Sequence, residues 1–314
     1  MADISRILHP TDFSDSADAA LAQAVWLARR HEAEVHVLHV LHIQHSFVEG
    51  PLPSAYAGSG SFPDFYEEVQ RDAEERLQEV VERVSSPDVH VKAVLAPGGA
   101  AAPVILEYAA EEEMDLIVMG THGRRAVERF LLGSVAEQVV HESSCDTLVV
   151  RASTSEAGRS PAVQRVLVPV DFSEAAAVAV TRAKSWAKHH GAHVDFLHVI
   201  EPLPFTVSLA SSISVHDLDP DIIEHTKEEL RSFVVSAEGP EVPHALHVEE
   251  GEVATHIVKT ADALDTDLLV MGSQGRSAFR RFILGSVTER VMRTAKQPVL
   301  TARPRKTKTA DAGA

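Results

Sequence analysis

Short apolar runs alternate along the chain with longer segments in which apolar residues recur every three to four positions. That alternation predicts strands interleaved with amphipathic helices. Ile7-Leu8 and Val166-Leu167-Val168 open two short strands that each end at a proline and an aspartate. After the first, Ala20, Leu21, Ala24 and Leu27-Ala28 fall on one helical face, with Asp15 or Ser16 as the expected cap. Second strands are predicted at Val35–Leu41 and Val194–Ile200, and acidic amphipathic helices at Phe65–Val84 and Ile222–Val235. Val89–Leu95 and Ala245–Val248 read as third strands, followed by helices at Val104–Ala110 and Ala254–Ala263. The last strand-helix pairs are Leu116–Met119 with Val135–His141 and Leu268–Met271 with Val287–Thr294, and Thr147–Val150 and Val299–Thr301 close the sheets. Strands joined by crossover helices require right-handed connections, so each half is expected to be an α/β, doubly wound, five-stranded parallel sheet. The expected strand order is 3-2-1-4-5, with helices on both faces.

The two halves are copies of each other. Arg6 to Ala17, RILHPTDFSDSA, matches Arg165 to Ala176, RVLVPVDFSEAA. Asp115 to Val140 and Asp267 to Met292 share 16 of 26 aligned residues. Self-similarity of this kind marks a duplicated unit. The expected division is a first domain over 1–153, a small-polar linker over 154–162, a second domain over 163–304 and a tail over 305–314.

Composition narrows the function. The chain has 314 residues, 45% hydrophobic and 24% charged, in the range of a soluble globular protein. No apolar run is long enough to span a bilayer, and the first residues show no secretory signal, so a cytoplasmic location is expected. The single cysteine, Cys145, excludes an internal disulfide and a cysteine-cage metal site. A formal net charge of −17 argues against nucleic acid as a partner. The first 150 residues carry 25 acidic and 10 basic side chains, the remainder 21 and 19. The short basic stretch from Pro304 to Lys308 reads as a solvated end.

In an open α/β sheet, ligands bind beyond the carboxyl ends of the strands where the strand order reverses. Asp12 and Asp171 follow the first strands and Gly120 and Gly272 end the fourth, so the most repeated residues fall at that crevice. The pattern Gly120-x2-Gly123-x9-Gly133-Ser134 recurs as Gly272-x2-Gly275-x9-Gly285-Ser286. Glycines permit positive φ and close backbone approach, and the closing Gly-Ser places a helix N-terminus where its N–H groups and dipole suit an anion. Arg124 and Arg276 could add charge at the rim. The bland alternative is a tight strand-to-helix turn without ligand. Neither the Rossmann spacing nor a Walker A lysine is present. Asp12 and Asp171 could accept hydrogen bonds from a ribose or base edge, or cap the following helix. Val40 and Val199 could wall a flat heterocycle, or fill ordinary strand core.

With PTDFS and PVDFS, the LHV of Leu38–Val40 and Leu197–Val199, and both glycine motifs, the chain resembles the universal stress proteins in their tandem form. The resemblance covers residues 4–152 and 163–303. It implies a Rossmann-like fold of the adenine nucleotide alpha hydrolase-like kind. It also implies ATP, with or without Mg2+, held by Pro10, Thr11, Asp12, Val40, Met119, Gly120, His122, Gly123, Gly133, Ser134 and Val135. The matching residues of the second copy are Pro169, Val170, Asp171, Val199, Met271, Gly272, Gln274, Gly275, Gly285, Ser286 and Val287. Val170 in place of Thr11 and Gln274 in place of His122 depart from the pattern, so both sites are expected to be competent and the first tighter. Members of the family pair through their last strands. In a tandem chain Leu148–Val150 and Val299–Thr301 are expected to make that pair internally as a pseudo-dimer, with a homodimer of whole chains also open.

His36, His39, His42 and His45 recur every third residue, which raises zinc or nickel as ligands. Strand alternation puts His36 and His39 on opposite faces, and His39 has a counterpart in His198, so a metal site is disfavoured. Cys145 is expected to be buried filler. The function expected is a non-enzymatic ATP-binding protein of the stress response whose nucleotide occupancy alters its surface or partners. Its rivals are a slow ATPase or phosphoryl-transfer enzyme and an interaction module with empty pockets.

Overall fold

A computed structural model describes residues 4–42, 62–121, 132–151, 162–201, 221–273 and 284–304. The chain divides into two compact units, the first of Met1–Ser143 and Thr147–Pro161 and the second of Ala162–Ala314 with Ser144–Asp146. The expected linker and tail lie mostly outside the described residues.

The first unit alternates strand and helix. Its elements are β1 (Arg6–Pro10), α1 (Asp15–His31), β2 (Glu34–His42), α2 (Phe62–Val84), β3 (Val91–Gly98), α3 (Ala101–Glu111), β4 (Leu116–Gly120), α4 (Ser134–Glu142) and β5 (Asp146–Val150). The strands lie in the order β3-β2-β1-β4-β5, with β1 parallel to both β2 and β4, and β2 parallel to β3. The second unit repeats the design with β6 (Arg165–Pro169), α5 (Glu174–His190), β7 (His193–Ile200), α6 (Ile222–Ser236), β8 (His244–Glu250), α7 (Val253–Ala263), β9 (Leu268–Gly272), α8 (Ser286–Thr294) and β10 (Val299–Ala302). Its order is β8-β7-β6-β9-β10, again with parallel pairing. Both units are therefore doubly wound sheets whose order reverses between the first and fourth strands. The ends of β1 and β4, and of β6 and β9, border a crevice of the type that accepts ligands.

The central strands are buried on both faces, which is why they read as unbroken apolar runs. Ile7, Leu8, Leu116, Ile117 and Val118 are buried in the first unit, and Val166, Leu167, Leu268, Leu269 and Val270 in the second. Small residues on α1 (Ala17, Ala20, Ala24, Ala28) let that helix lie close to the sheet. The cap lies one residue before the expected ones: Ser14 accepts from the Ala17 N–H, and the helix begins at Asp15. It ends at Glu32 in the left-handed region, whose N–H bonds Ala28 O. In the second unit Ser173 and Gly191 do the same work for α5. The edge strands β3 and β8 are half exposed, and their ends differ from expectation by up to three and two residues. Val89 falls outside β3, in an isolated bridge with Ser86, while the strand runs on to Gly98.

Candidate functional site

The end of β1 is built from a turn that the sequence writes twice. The Thr11 N–H donates to Leu38 O at 2.8 Å, carrying the β1–β2 ladder one residue past Pro10. Asp12 then folds back on the chain, its Oδ1 accepting from the Ser14 N–H at 3.2 Å and the Ser14 hydroxyl at 2.6 Å. Asp12 thus positions the cap without being it: the helix is capped by Ser14, and Asp12 acts on it through that residue. Asp171 holds Ser173 in the same way, at 3.1 and 2.6 Å. Both aspartates are half exposed.

Between aspartate and serine stands a phenylalanine in the left-handed region, Phe13 at φ 61° and Phe172 at φ 62°. Each ring packs on an imidazole from the neighbouring strand, Phe13 on His39 with centroids 4.4 Å apart and Phe172 on His198 at 4.6 Å. The same imidazoles donate through Nδ1 to the turn, His39 to Thr11 O at 2.8 Å and His198 to Val170 O at 2.7 Å. The match of His39 with His198 signalled a shared strand-end role; the phenylalanines, present in both copies of the motif, were the unread part of that signal.

The glycines at the ends of β4 and β9 have a packing cause. A Cβ on Gly120 would lie 2.4 Å from Ser16 Oγ and 2.8 Å from Ser16 O, and one on Gly272 would lie 2.8 Å from Ala175 O. The first turns of α1 and α5 come too close for any side chain there. Gly133 and Gly285 cap α4 and α8 at φ −67° and −63°, angles open to any residue. The positive φ expected to explain the motif is therefore not used at these four glycines; close approach is the reason at Gly120 and Gly272. Each motif's helix start is tied to the strand it follows: Gly133 N–H donates to Thr121 O at 2.7 Å, and Gly285 N–H to Ser273 O at 3.2 Å. Neither helix has a side-chain cap, and Ser134 and Ser286 are exposed at the first helical position. First-turn N–H groups are thus presented at the crevice, beside the turns of Asp12 and Asp171 in the topology.

Of the other expected site residues, Pro10, Pro169, Val135 and Val287 are half exposed, while Thr11, Val170, Met119 and Met271 are buried. Val40 and Val199 are also buried. His122, Gly123, Arg124, Gln274, Gly275 and Arg276 lie outside the described residues.

The first two histidines of the run are committed to protein partners. His36 Nδ1 lies 2.7 Å from the Tyr108 hydroxyl, and His39 bonds Thr11 O. His45 lies outside the described residues, as does the side chain of His42. Among the described residues no group of three or more His, Cys, Asp or Glu side chains could hold a metal ion. Cys145 is half buried, more open than expected for core filler.

Among the buried polar side chains that went unread in the sequence are His9 and Asp195. His9, fully buried on β1, donates through Nδ1 to Val118 O at 2.9 Å and leaves Nε2 without a hydrogen-bond partner. Burial lowers its pKa to about 4, against the opposing pull of the Val118 carbonyl, Asp18 and Asp12. Asp195, fully buried on β7, is held by Arg165 at 2.6 and 3.2 Å and by His247 at 2.7 Å. Burial alone would raise its pKa; the bonds from Arg165 and His247 outweigh it and hold the carboxyl below the usual range. Position and partners make it a brace between β6, β7 and β8.

A family model described as the universal stress protein family matches residues 4–151 and again 162–303. The chain belongs to the universal stress protein family. A universal stress protein of Mycolicibacterium smegmatis is 28% identical over 312 residues, covering 95% of this chain and 97% of that one. A universal stress protein of Methanocaldococcus jannaschii is 34% identical over 151 residues, covering 48% of this chain and 84% of its own length. The crystal structure of a universal stress protein from Archaeoglobus fulgidus has the same fold, with a TM-score of 0.67 and 23% identity over 97% of this chain and 98% of that one. No helix among the described residues is long and apolar enough to cross a membrane.

Proposed function

We propose that each universal stress protein copy binds an adenine nucleotide, ATP in the first instance, and that occupancy rather than catalysis is the output. The observation that carries this reading is the twice-built helix start at Gly133-Ser134 and Gly285-Ser286, uncapped by any side chain and tied back to the fourth strand at the reversal point. The residues proposed to hold the nucleotide are those of the two Gly-x2-Gly-x9-Gly-Ser motifs with the Asp12 and Asp171 turns, and Arg124 and Arg276 at the rim. Phosphates would rest on the helix N-termini and the ribose side would meet the aspartates. An enzyme would need a carboxylate for Mg2+ and a placed base near the terminal phosphate. Asp12 and Asp171 already spend an oxygen on Ser14 and Ser173, and the second copy has Gln274 where the first has His122. That asymmetry favours binding over turnover.

The first copy is the tighter site in this proposal. Thr11 Oγ1 accepts from the Phe13 N–H at 3.0 Å, a bond that Val170 cannot offer to Phe172. Identification by mass of the small molecule released on denaturation, counted per chain, tests the reading. Adenine nucleotide near two per chain supports it, one confines it to a single copy, and none with no binding in titration calorimetry overturns it. Replacing Gly133 and Gly285 by valine together should weaken ATP at least about thirtyfold, since both φ values suit valine and the added side chains would obstruct the phosphates. ATP turnover in excess Mg2+ that is abolished by His122→Ala would favour the enzyme instead.

A further inference from the structure

The carbonyl of Thr11 sits one residue beyond β1, where the main-chain ladder has run out of donors. An imidazole takes over: His39 Nδ1 donates to it at 2.8 Å while the N–H of the same residue is bonded to Leu38 O. Both main-chain groups of Thr11 are thus held by β2. The Phe13 ring lies on that imidazole at an interplanar angle of 34°, and the backbone beneath the ring takes a left-handed conformation that costs an L-residue free energy. Such conformations persist only where the surroundings overdetermine them.

The second copy rebuilds this assembly with the same partner types. His198 grips Val170 O at 2.7 Å, the Val170 N–H bonds Leu197 O at 2.8 Å, and Phe172 lies on His198 at 36°. Around it the sequence has changed, with His9 become Val168, Thr11 become Val170 and Ser16 become Ala175. The clamp has outlasted its neighbours.

We propose that His39 and His198 are positioning residues for the ligand. By fixing the Thr11–Asp12 and Val170–Asp171 peptides, they set the direction of each aspartate before a nucleotide arrives, so that less ordering is left for binding to supply. This rests on the nucleotide reading above. The role requires an N–H at the place of Nδ1, and asparagine can present one there whereas leucine cannot.

Titration calorimetry of the full chain with ATP tests it, on the unaltered protein and on His39→Leu, His39→Asn, His198→Leu and His198→Asn, with thermal unfolding recorded for each. Each leucine variant should weaken its own copy's site about tenfold, leaving the other copy's site in place. Each asparagine variant should recover to within about threefold of the unaltered protein, whatever it does to the melting temperature. Equal losses in leucine and asparagine variants would reduce the imidazoles to packing and overturn the inference, as would unchanged affinity in the leucine variants. Should His39→Leu fail to fold, the half-buried His198 gives the same readout in the second copy. Absence of ATP binding by the unaltered chain would remove the nucleotide reading and this inference together, and is seen before any substitution is made.

Discussion

The two copies share their turns and differ in what lies beneath them. In the first, β1 carries His9, the turn carries Thr11, and α1 presents Ser16 to Gly120. In the second the corresponding residues are Val168, Val170 and Ala175, all apolar. The aspartate-serine bond, the left-handed phenylalanine and the imidazole are the same in both. The rim differs in charge as well: Ala96-Pro97-Gly98-Gly99 in the first copy stands where the second has Glu249-Glu250-Gly251-Glu252. That acidic turn is fixed to the end of β7 by the Gly251 N–H on Ile200 O at 3.0 Å, and Glu252 is paired with Arg290 at 2.8 Å. One set of residues was kept while another was exchanged, so the kept set is the better guide to what both crevices have in common, and the exchanged set to where they part.

Acid offers the largest separation. His9 has a folded pKa near 4 against about 6.5 unfolded, so its contribution to stability is intact above pH 6.5 and is lost as the unfolded chain takes up the proton first. Between pH 6.5 and 4 the first copy should lose about 3 kcal/mol through this one group, with no matching loss at Val168. Unfolding followed across that range should show the first copy failing earlier, and His9→Val should bring the two together. Coincident acid transitions in the unaltered chain would remove His9 as the cause.

Next come the glycines, which should erase the difference. Gly120→Ala and Gly272→Ala each force a Cβ to within 2.8 Å of a helix backbone atom, so each should cost its own copy about 2 kcal/mol in denaturant unfolding. A much smaller cost at Gly120 would mean that the first turn of α1 can retreat where that of α5 cannot. A finer contrast is Thr11→Val, which removes the acceptor of the Phe13 N–H and makes the first turn resemble the second. It should cost about 1 kcal/mol and a few-fold in ATP affinity, with Val170→Thr returning part of that in the other copy. Smallest should be the contrast between Ser14→Ala and Ser173→Ala. Each cap should be worth about 1 kcal/mol, alike in the two copies because the cap bonds are alike.

Much of this was legible because burial writes itself into sequence. The central strands could be read as continuous apolar runs since nothing on either face of Leu116–Met119 or Leu268–Met271 meets water. The edge strands were harder: β3 mixes exposed Lys92 with half-exposed Val94, and neither pattern nor composition says where pairing stops. The start of α1 was misplaced because Ser14 becomes a cap only when Asp12 and a left-handed Phe13 turn the chain, and no local propensity favours phenylalanine in that conformation. The crevice residues were legible through duplication, although the cause of Gly120 was not. Its neighbour Ser16 lies more than a hundred positions away, so a contact looked like a conformational requirement. His9 gave no warning at all, since a histidine inside an apolar run carries no mark of which face it will meet.

The missing Cβ at Gly120 has a mechanical corollary. With nothing between them, the first turn of α1 and the tip of β4 are in direct backbone contact, as are α5 and β9 at Gly272. Helix and strand have no lubricating layer and must travel as one block. If each copy binds ATP as proposed, the response would therefore not be a piston stroke of α1 over its sheet, and bound ATP should slow hydrogen exchange in α1 together with β4 and in α5 together with β9.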